Sequence, residues 1–180
     1  MKTKLATLWL DGCSGCHMSF LDMDERLIEL AQRIEVVSSP YVDFKYPDYF
    51  PDGIDVAIVE GSVSSEEDLH KIKLLRAKTK FLISLGDCAI TGNVSGMRNL
   101  IEIPDMMDFV YNETADVNKG VMPTKVVPPL LKKVIPINQA VHVDLFIPGC
   151  PPPADAIYYA LSELLNGNTP DMSKVTRFGK

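Results

Sequence analysis

Three strand-length apolar runs in this chain, Leu5–Leu10, Phe81–Leu85 and Val141–Ile147, each lead into a glycine-marked turn that carries cysteine. The turns read DGCSGC, LGDCAITG and IPGCPPP, and between them they hold all four cysteines: Cys13, Cys16, Cys88 and Cys150. Such a chain is constrained to a fold that gathers strand ends. Open α/β sheets do this, and they place their sites at the carboxyl ends of the strands.

The pattern between the turns agrees. Ser19–Ile34 carries Phe20, Met23, Leu27, Leu30, Ala31 and Ile34 at helical spacing, with Ser19 as the expected N-cap and Asp22 and Asp24 in the first turn. Ile34–Val37 reads as a strand, and residues 38–53 as a long loop rich in proline and tyrosine. Ile54–Val59 is a continuous apolar strand closed by Glu60-Gly61, and Glu66–Lys78 an amphipathic helix. A weaker helix is expected over Val94–Ile101. Prolines are frequent from 104 to 136, which reads as an irregular, partner-facing segment. The last helix, Ala154–Leu165, follows Pro151–Pro153 and stops at Gly167. Strands alternating with helices imply a parallel sheet covered on both faces, in a single domain over residues 1–180.

Hydrophobic residues make up 46% and charged residues 23%, ordinary globular usage. The net charge of −6 is dispersed along the chain, which argues against nucleic acid or an anionic membrane as partner. MKTKLATLWLDG reaches a turn too soon for a signal peptide, and the apolar runs are too short for a transmembrane segment. The expected location is cytoplasmic, where cysteines at turns serve as metal ligands more often than as disulfides.

Four thiolates match the four iron corners of a 4Fe–4S cubane with none left over. Cys13 and Cys16, separated by Ser14-Gly15, can reach two corners from one loop, and Cys88 and Cys150 the others. A structural zinc is the next reading, although zinc sites usually draw on two close cysteine pairs. A redox dithiol at Cys13 and Cys16 remains open but leaves Cys88 and Cys150 unexplained. Buried inert thiols are the bland alternative.

His17 could hydrogen-bond a cluster sulfur or be structural; His70 and His142 lack pair spacing and read as structural. Glu60, a carboxylate at a strand end beside an anionic site, is either a helix cap or a candidate for a proton route. Trp9 is core or interface. No GxGxxG, Walker A or serine–histidine pattern occurs. A flavodoxin-like module carrying FMN is the rival from another class, with Ser14, Ser19 and a helix N-terminus receiving the phosphate.

Four motifs in order, Cys13-Ser14-Gly15-Cys16, Glu60-Gly61-Ser62-Val63, Gly86-Asp87-Cys88-Ala89 and Pro148-Gly149-Cys150-Pro151-Pro152, resemble the small subunit of nickel–iron hydrogenases. The resemblance is strongest to the short subunit of soluble, bidirectional NAD(P)-linked (Hox-type) enzymes, and it spans nearly the whole chain. It implies a flavodoxin-like fold with one proximal 4Fe–4S cluster held by Cys13, Cys16, Cys88 and Cys150 at the carboxyl edge of the strands. It also implies a nickel–iron site in a large partner subunit and a diaphorase with iron–sulfur and flavin subunits that reduces NAD(P). The spaced pair Cys13 and Cys16 differs from the adjacent cysteines of the related cluster subunit of respiratory complex I, which stays as an alternative. The chain opens without a twin-arginine leader and ends at Lys180 without the region that carries medial and distal clusters in membrane-linked enzymes. The expectation is that electrons leave a single cluster for another polypeptide, and that the chain relays electrons without acid–base chemistry of its own. A structural subunit that has lost redox function is the third class.

Overall fold

The computed structural model describes residues 1–42 and 50–176. Among the described residues, seven strands run β1 Thr3–Trp9, β2 Ile34–Ser38, β3 Ile54–Glu60, β4 Val63–Ser65, β5 Thr79–Leu85, β6 Leu130–Ile135 and β7 Leu145–Ile147. The helices are α1 Gly15–Leu21, α2 Arg26–Arg33, α3 Glu66–Lys78, α4 Asp87–Thr91, α5 Asn93–Gly96, α6 Ile103–Asp108, α7 Ile137–Ala140 and α8 Ala154–Leu165. Five strands form one parallel sheet in the order β2-β1-β3-β5-β7. This is the flavodoxin-like order, in which the chain leaves β1 toward one side and returns across it to β3.

Side-chain alternation along the buried strands divides the core between the two sheet faces. Leu5, Ile58 and Ile83 pack with Met23, Leu30, Ile157 and Leu161 beneath α2 and α8. Their neighbours Ala6, Ala57, Val59 and Leu82 pack with Ile72 and Leu75 of α3 on the other face. The near-continuous apolar runs arise because both faces are covered.

Helix α3 keeps its expected bounds because its ends are chemically marked. Ser65 Oγ accepts the Asp68 N–H at 3.1 Å, while Asp68 Oδ2 accepts the Ser65 N–H at 3.0 Å, a reciprocal capping box. Glu66 and Glu67 lie in its first turn and Arg76 and Lys78 in its last, matching the helix dipole. Helix α8 also begins and ends where expected.

Other expectations are corrected. The single helix over Ser19–Ile34 is two helices, broken at Asp24, whose φ is +51°. Ser19 is not an N-cap: it lies inside α1, and its hydroxyl donates to the Pro152 carbonyl at 2.5 Å. Ser14 occupies the cap position, and Asp22 ends α1 rather than starting a helix. The helix expected over Val94–Ile101 is instead the short α5 followed by a 3-10 turn at Met97–Leu100.

Residues 104–136 are not wholly irregular. They include most of α6, a π-helical turn at Phe109–Glu113 and β6, which pairs antiparallel with β4. The last strand of the main sheet is shortened to Leu145–Ile147, because Asp144 turns its carboxylate back to accept the Leu82 N–H at 2.8 Å. Of the loop expected over 38–53, residues 43–49 lie outside the described residues. No helix among the described residues is long and apolar enough to cross a membrane.

Candidate metal centre

The strand ends form a row. Trp9 pairs with Glu60, Glu60 with Leu85, and Leu85 with Ile147, so β1, β3, β5 and β7 finish side by side. Each cysteine turn leaves from this row a few residues later, and the Glu60-Gly61 turn leaves from its middle.

Backbone hydrogen bonds tie the turns together in pairs. Asp11 and Ser62 exchange N–H···O bonds of 3.1 and 2.8 Å, joining the first cysteine turn to the Glu60-Gly61 turn. Here Gly61 is required, since at φ +87° a Cβ would lie 2.8 Å from the Leu10 carbonyl carbon. Asp87 N donates to Gly149 O at 2.9 Å and Asp87 Oδ1 accepts the Gly149 N–H at 2.8 Å, joining the Cys88 and Cys150 turns. The Ser19–Pro152 bond adds α1 to the Cys150 turn. Gly86 keeps the centre open, because a Cβ on it would stand 2.2 Å from Cys16 Sγ.

The four thiols are unpaired, with Cys13 and Cys150 exposed, Cys88 half-buried and Cys16 buried. Burial pushes the Cys16 thiol far up, and the Glu60 carboxylate and the other three cysteines reinforce the shift. Cys88 is raised for the same leading reason, burial, opposed by a hydrogen bond from the Val94 N–H. Cys16 and Cys88 therefore each lie within electrostatic reach of both Cys13 and Cys150.

The residues fit an iron–sulfur group. Among the described residues, no three His, Cys, Asp or Glu side chains are placed to hold a metal ion. Four ligands of one zinc would stand about 3.8 Å apart, given Zn–S bonds of about 2.3 Å in a tetrahedron. A cubane takes one thiolate at each of four separate corners, which suits ligands arriving from three loops.

Glu60 and His17 are both almost fully buried, at 1% and 2% exposure. Glu60 Oε2 accepts the backbone N–H of His17 at 2.8 Å and lies 2.5 Å from its Nδ1. Glu60 thus caps α1 from another strand, and His17 is structurally bonded through Nδ1. His142 is an exposed residue whose Nε2 lies 3.3 Å from Asp144 Oδ1. Trp9 is 44% exposed and bonded to the Gly12 carbonyl, which places it at the surface rather than in the core.

The phosphate position of the FMN reading is already engaged. Ser14 Oγ bonds the Tyr41 hydroxyl at 2.7 Å, Ser19 bonds Pro152, and Glu60 places a carboxylate at the α1 N-terminus.

Sequence reasoning quoted Asp87 within a motif without giving it a role, and did not single out Asn93. Asp87 ties two cysteine turns, and Asn93 Nδ2 donates to Cys150 Sγ at 3.4 Å. Neither role has a local signature, because each partner lies more than fifty residues away in the chain.

Residues 13–164 match the model of the NADH ubiquinone oxidoreductase, 20 Kd subunit family. The chain is 40% identical over 182 residues to the delta subunit of the NAD-reducing hydrogenase HoxS of Cupriavidus necator, covering 98% of this chain and 86% of that one. It is 39% identical over 172 residues to a subunit of the F420-non-reducing hydrogenase vhu of Methanocaldococcus jannaschii, covering 96% of this chain but only 59% of that relative. A crystal structure of an NAD+-reducing nickel–iron hydrogenase in its H2-reduced state contains a chain that superposes with a TM-score of 0.92 at 34% identity, covering 99% of this chain and 100% of that one. The chain belongs to the NADH ubiquinone oxidoreductase, 20 Kd subunit family and is related to hydrogenase small subunits, among them that of an NAD-reducing nickel–iron hydrogenase.

Proposed function

We propose that this chain is the electron-transfer small subunit of a nickel–iron hydrogenase, with Cys13, Cys16, Cys88 and Cys150 holding one proximal 4Fe–4S cluster. The observation that carries the reading is the arrival of four thiols from three strand ends on one sheet edge. The hydrogenase subunits to which the chain is similar support the assignment. When bound, the cluster supplies one-electron relay between a partner's nickel–iron site, where H2 is split or formed, and a diaphorase that reduces NAD(P).

This chain's residues then have distinct tasks. The cysteines ligate, while Gly86 leaves room beside Cys16. Asp87 and Ser19 hold the Cys150 turn against its neighbours, and Glu60 fixes the start of α1 behind Cys16. A proton route through this chain would start at the Glu60–His17 pair, whose geometry supports positioning more directly. The large subunit would cover the cluster edge and the apolar flank formed by 97–130, in a cytoplasmic complex. FMN in this chain is the weaker reading, because Glu60 already occupies the helix terminus that a phosphate needs.

Iron and acid-labile sulfide analysis of the purified complex tests the assignment. About four irons and four sulfides are expected at this subunit. Zinc in their place, or resolved flavin bands from the chain, would overturn it.

A further inference from the structure

The segment that follows α4 donates to two cysteine sulfurs from adjacent residues. The Asn93 side-chain amide donates to Cys150 Sγ at 3.4 Å, and the Val94 backbone N–H donates to the Cys88 thiol. The two cysteines themselves come from different turns, after β7 and β5.

The backbone is bent to make both contacts. Gly92 and Asn93 have consecutive positive φ values of +88° and +34°. Asparagine is among the few side chains that enter this region readily, and strained positions that persist at sites point to a task. Beyond the bend, the segment is anchored at three places. Ser95 Oγ donates to the Asp11 carbonyl at 3.1 Å, ahead of the Cys13 turn. Arg98 Nη2 reaches the Ser64 and Leu131 carbonyls at 2.9 and 3.0 Å. Asn99 exchanges hydrogen bonds of 2.8 and 2.7 Å with the Val134 backbone. The Asn93 amide is therefore presented to the sulfur by a braced arm.

Building on the reading of the four cysteines as ligands, we propose that Asn93 is a positioning residue that sets the reduction potential of the group they hold. Reduction adds one negative charge, shared onto the ligand sulfurs. A donor aimed at such a sulfur stabilises the reduced form more than the oxidised form and raises the potential. The Val94 N–H acts in the same sense on Cys88 but belongs to the backbone, so Asn93 is the adjustable member of the pair.

The test is an electron paramagnetic resonance redox titration of the assembled complex with two substitutions. Asn93→Gly accepts the positive φ and removes the donor. Asn93→Asp keeps the side-chain shape, removes the donor and brings a negative charge toward the sulfur. Iron content and signal shape should be retained, with the midpoint shifted to more negative potential in Asn93→Gly and further in Asn93→Asp. Equal midpoints in all three proteins would overturn the role of Asn93 while leaving the ligand assignment intact. If Asn93→Gly loses iron, Asn93→Asp decides; loss of iron from both makes Asn93 a structural residue and defeats the proposal. Absence of any 4Fe–4S signal in the unsubstituted complex would defeat the ligand reading, and this one with it.

Discussion

Glu60 Oε2 accepts the backbone N–H of His17 at 2.8 Å and sits 2.5 Å from its ring Nδ1, so one carboxylate oxygen at the end of β3 holds both ends of a residue in α1. Both residues are buried, and the residue held is the direct neighbour of Cys16. The same contact that caps the start of α1 therefore limits how the Cys13–Cys16 turn can move.

Replacing Glu60 by Ala leaves a buried N–H and an imidazole without their acceptor, so a loss of about 2–4 kcal/mol in unfolding free energy is expected. Glu60→Gln keeps an acceptor oxygen and should cost about 1 kcal/mol. Urea unfolding with an unchanged slope is the measurement. A Glu60→Ala protein as stable as the parent would show that the contact carries no weight.

Ligation is tested at Cys88, which joins the site from β5 alone. A hydroxyl is a harder, weaker ligand than a thiolate, so Cys88→Ser should lose iron or convert the cluster. Iron content and the resonance spectrum of the reduced complex report the result. Unchanged values in both would remove the middle turn from the site.

The exposed apolar residues between 97 and 110 predict a covering partner. Leu100 is 92% exposed, and Met97, Ile101, Phe109 and Val110 lie exposed near it in sequence. Such clustering is unusual on a free surface, so the chain produced alone should self-associate. Phe109→Asp should weaken association with a nickel–iron large subunit by about tenfold or more, as read by pull-down or calorimetry. A stable monomer that ignores the large subunit would argue against the hydrogenase assignment itself.

Relay and catalysis separate in a Cys150→Ser complex that gel filtration shows to be assembled. H2-dependent NAD+ reduction should be lost, while the large subunit still exchanges H2 with D2O and the diaphorase still oxidises NADH with an artificial acceptor. Hydrogen splitting and nicotinamide chemistry both lie on partner cofactors in the proposed arrangement. Persisting coupling between H2 and NAD+ would mean that electrons bypass this subunit.

The residues alone carried the α/β class, the bounds of α3 and α8, and the position of all four cysteines after strands. These features are local: apolar period, caps and glycine turns lie within a few residues of what they specify. Other features were hidden because their causes are distant in the chain. The break at Asp24 lies inside an unbroken helical period, yet Ser19 must reach Pro152, 133 residues away. Strand β6 was read as irregular because its partner β4 is three residues long and far upstream.

The site divides in the same way. Which thiols could act together was written in the turns, since strand ends gather wherever a parallel sheet forms. That Glu60 would seize His17 across 43 residues, or that Asn93 would meet Cys150 across 57, has no local signature. Only the strand order β2-β1-β3-β5-β7, which sets the ends of β1, β3, β5 and β7 in one row, brings those donors and acceptors within bonding distance.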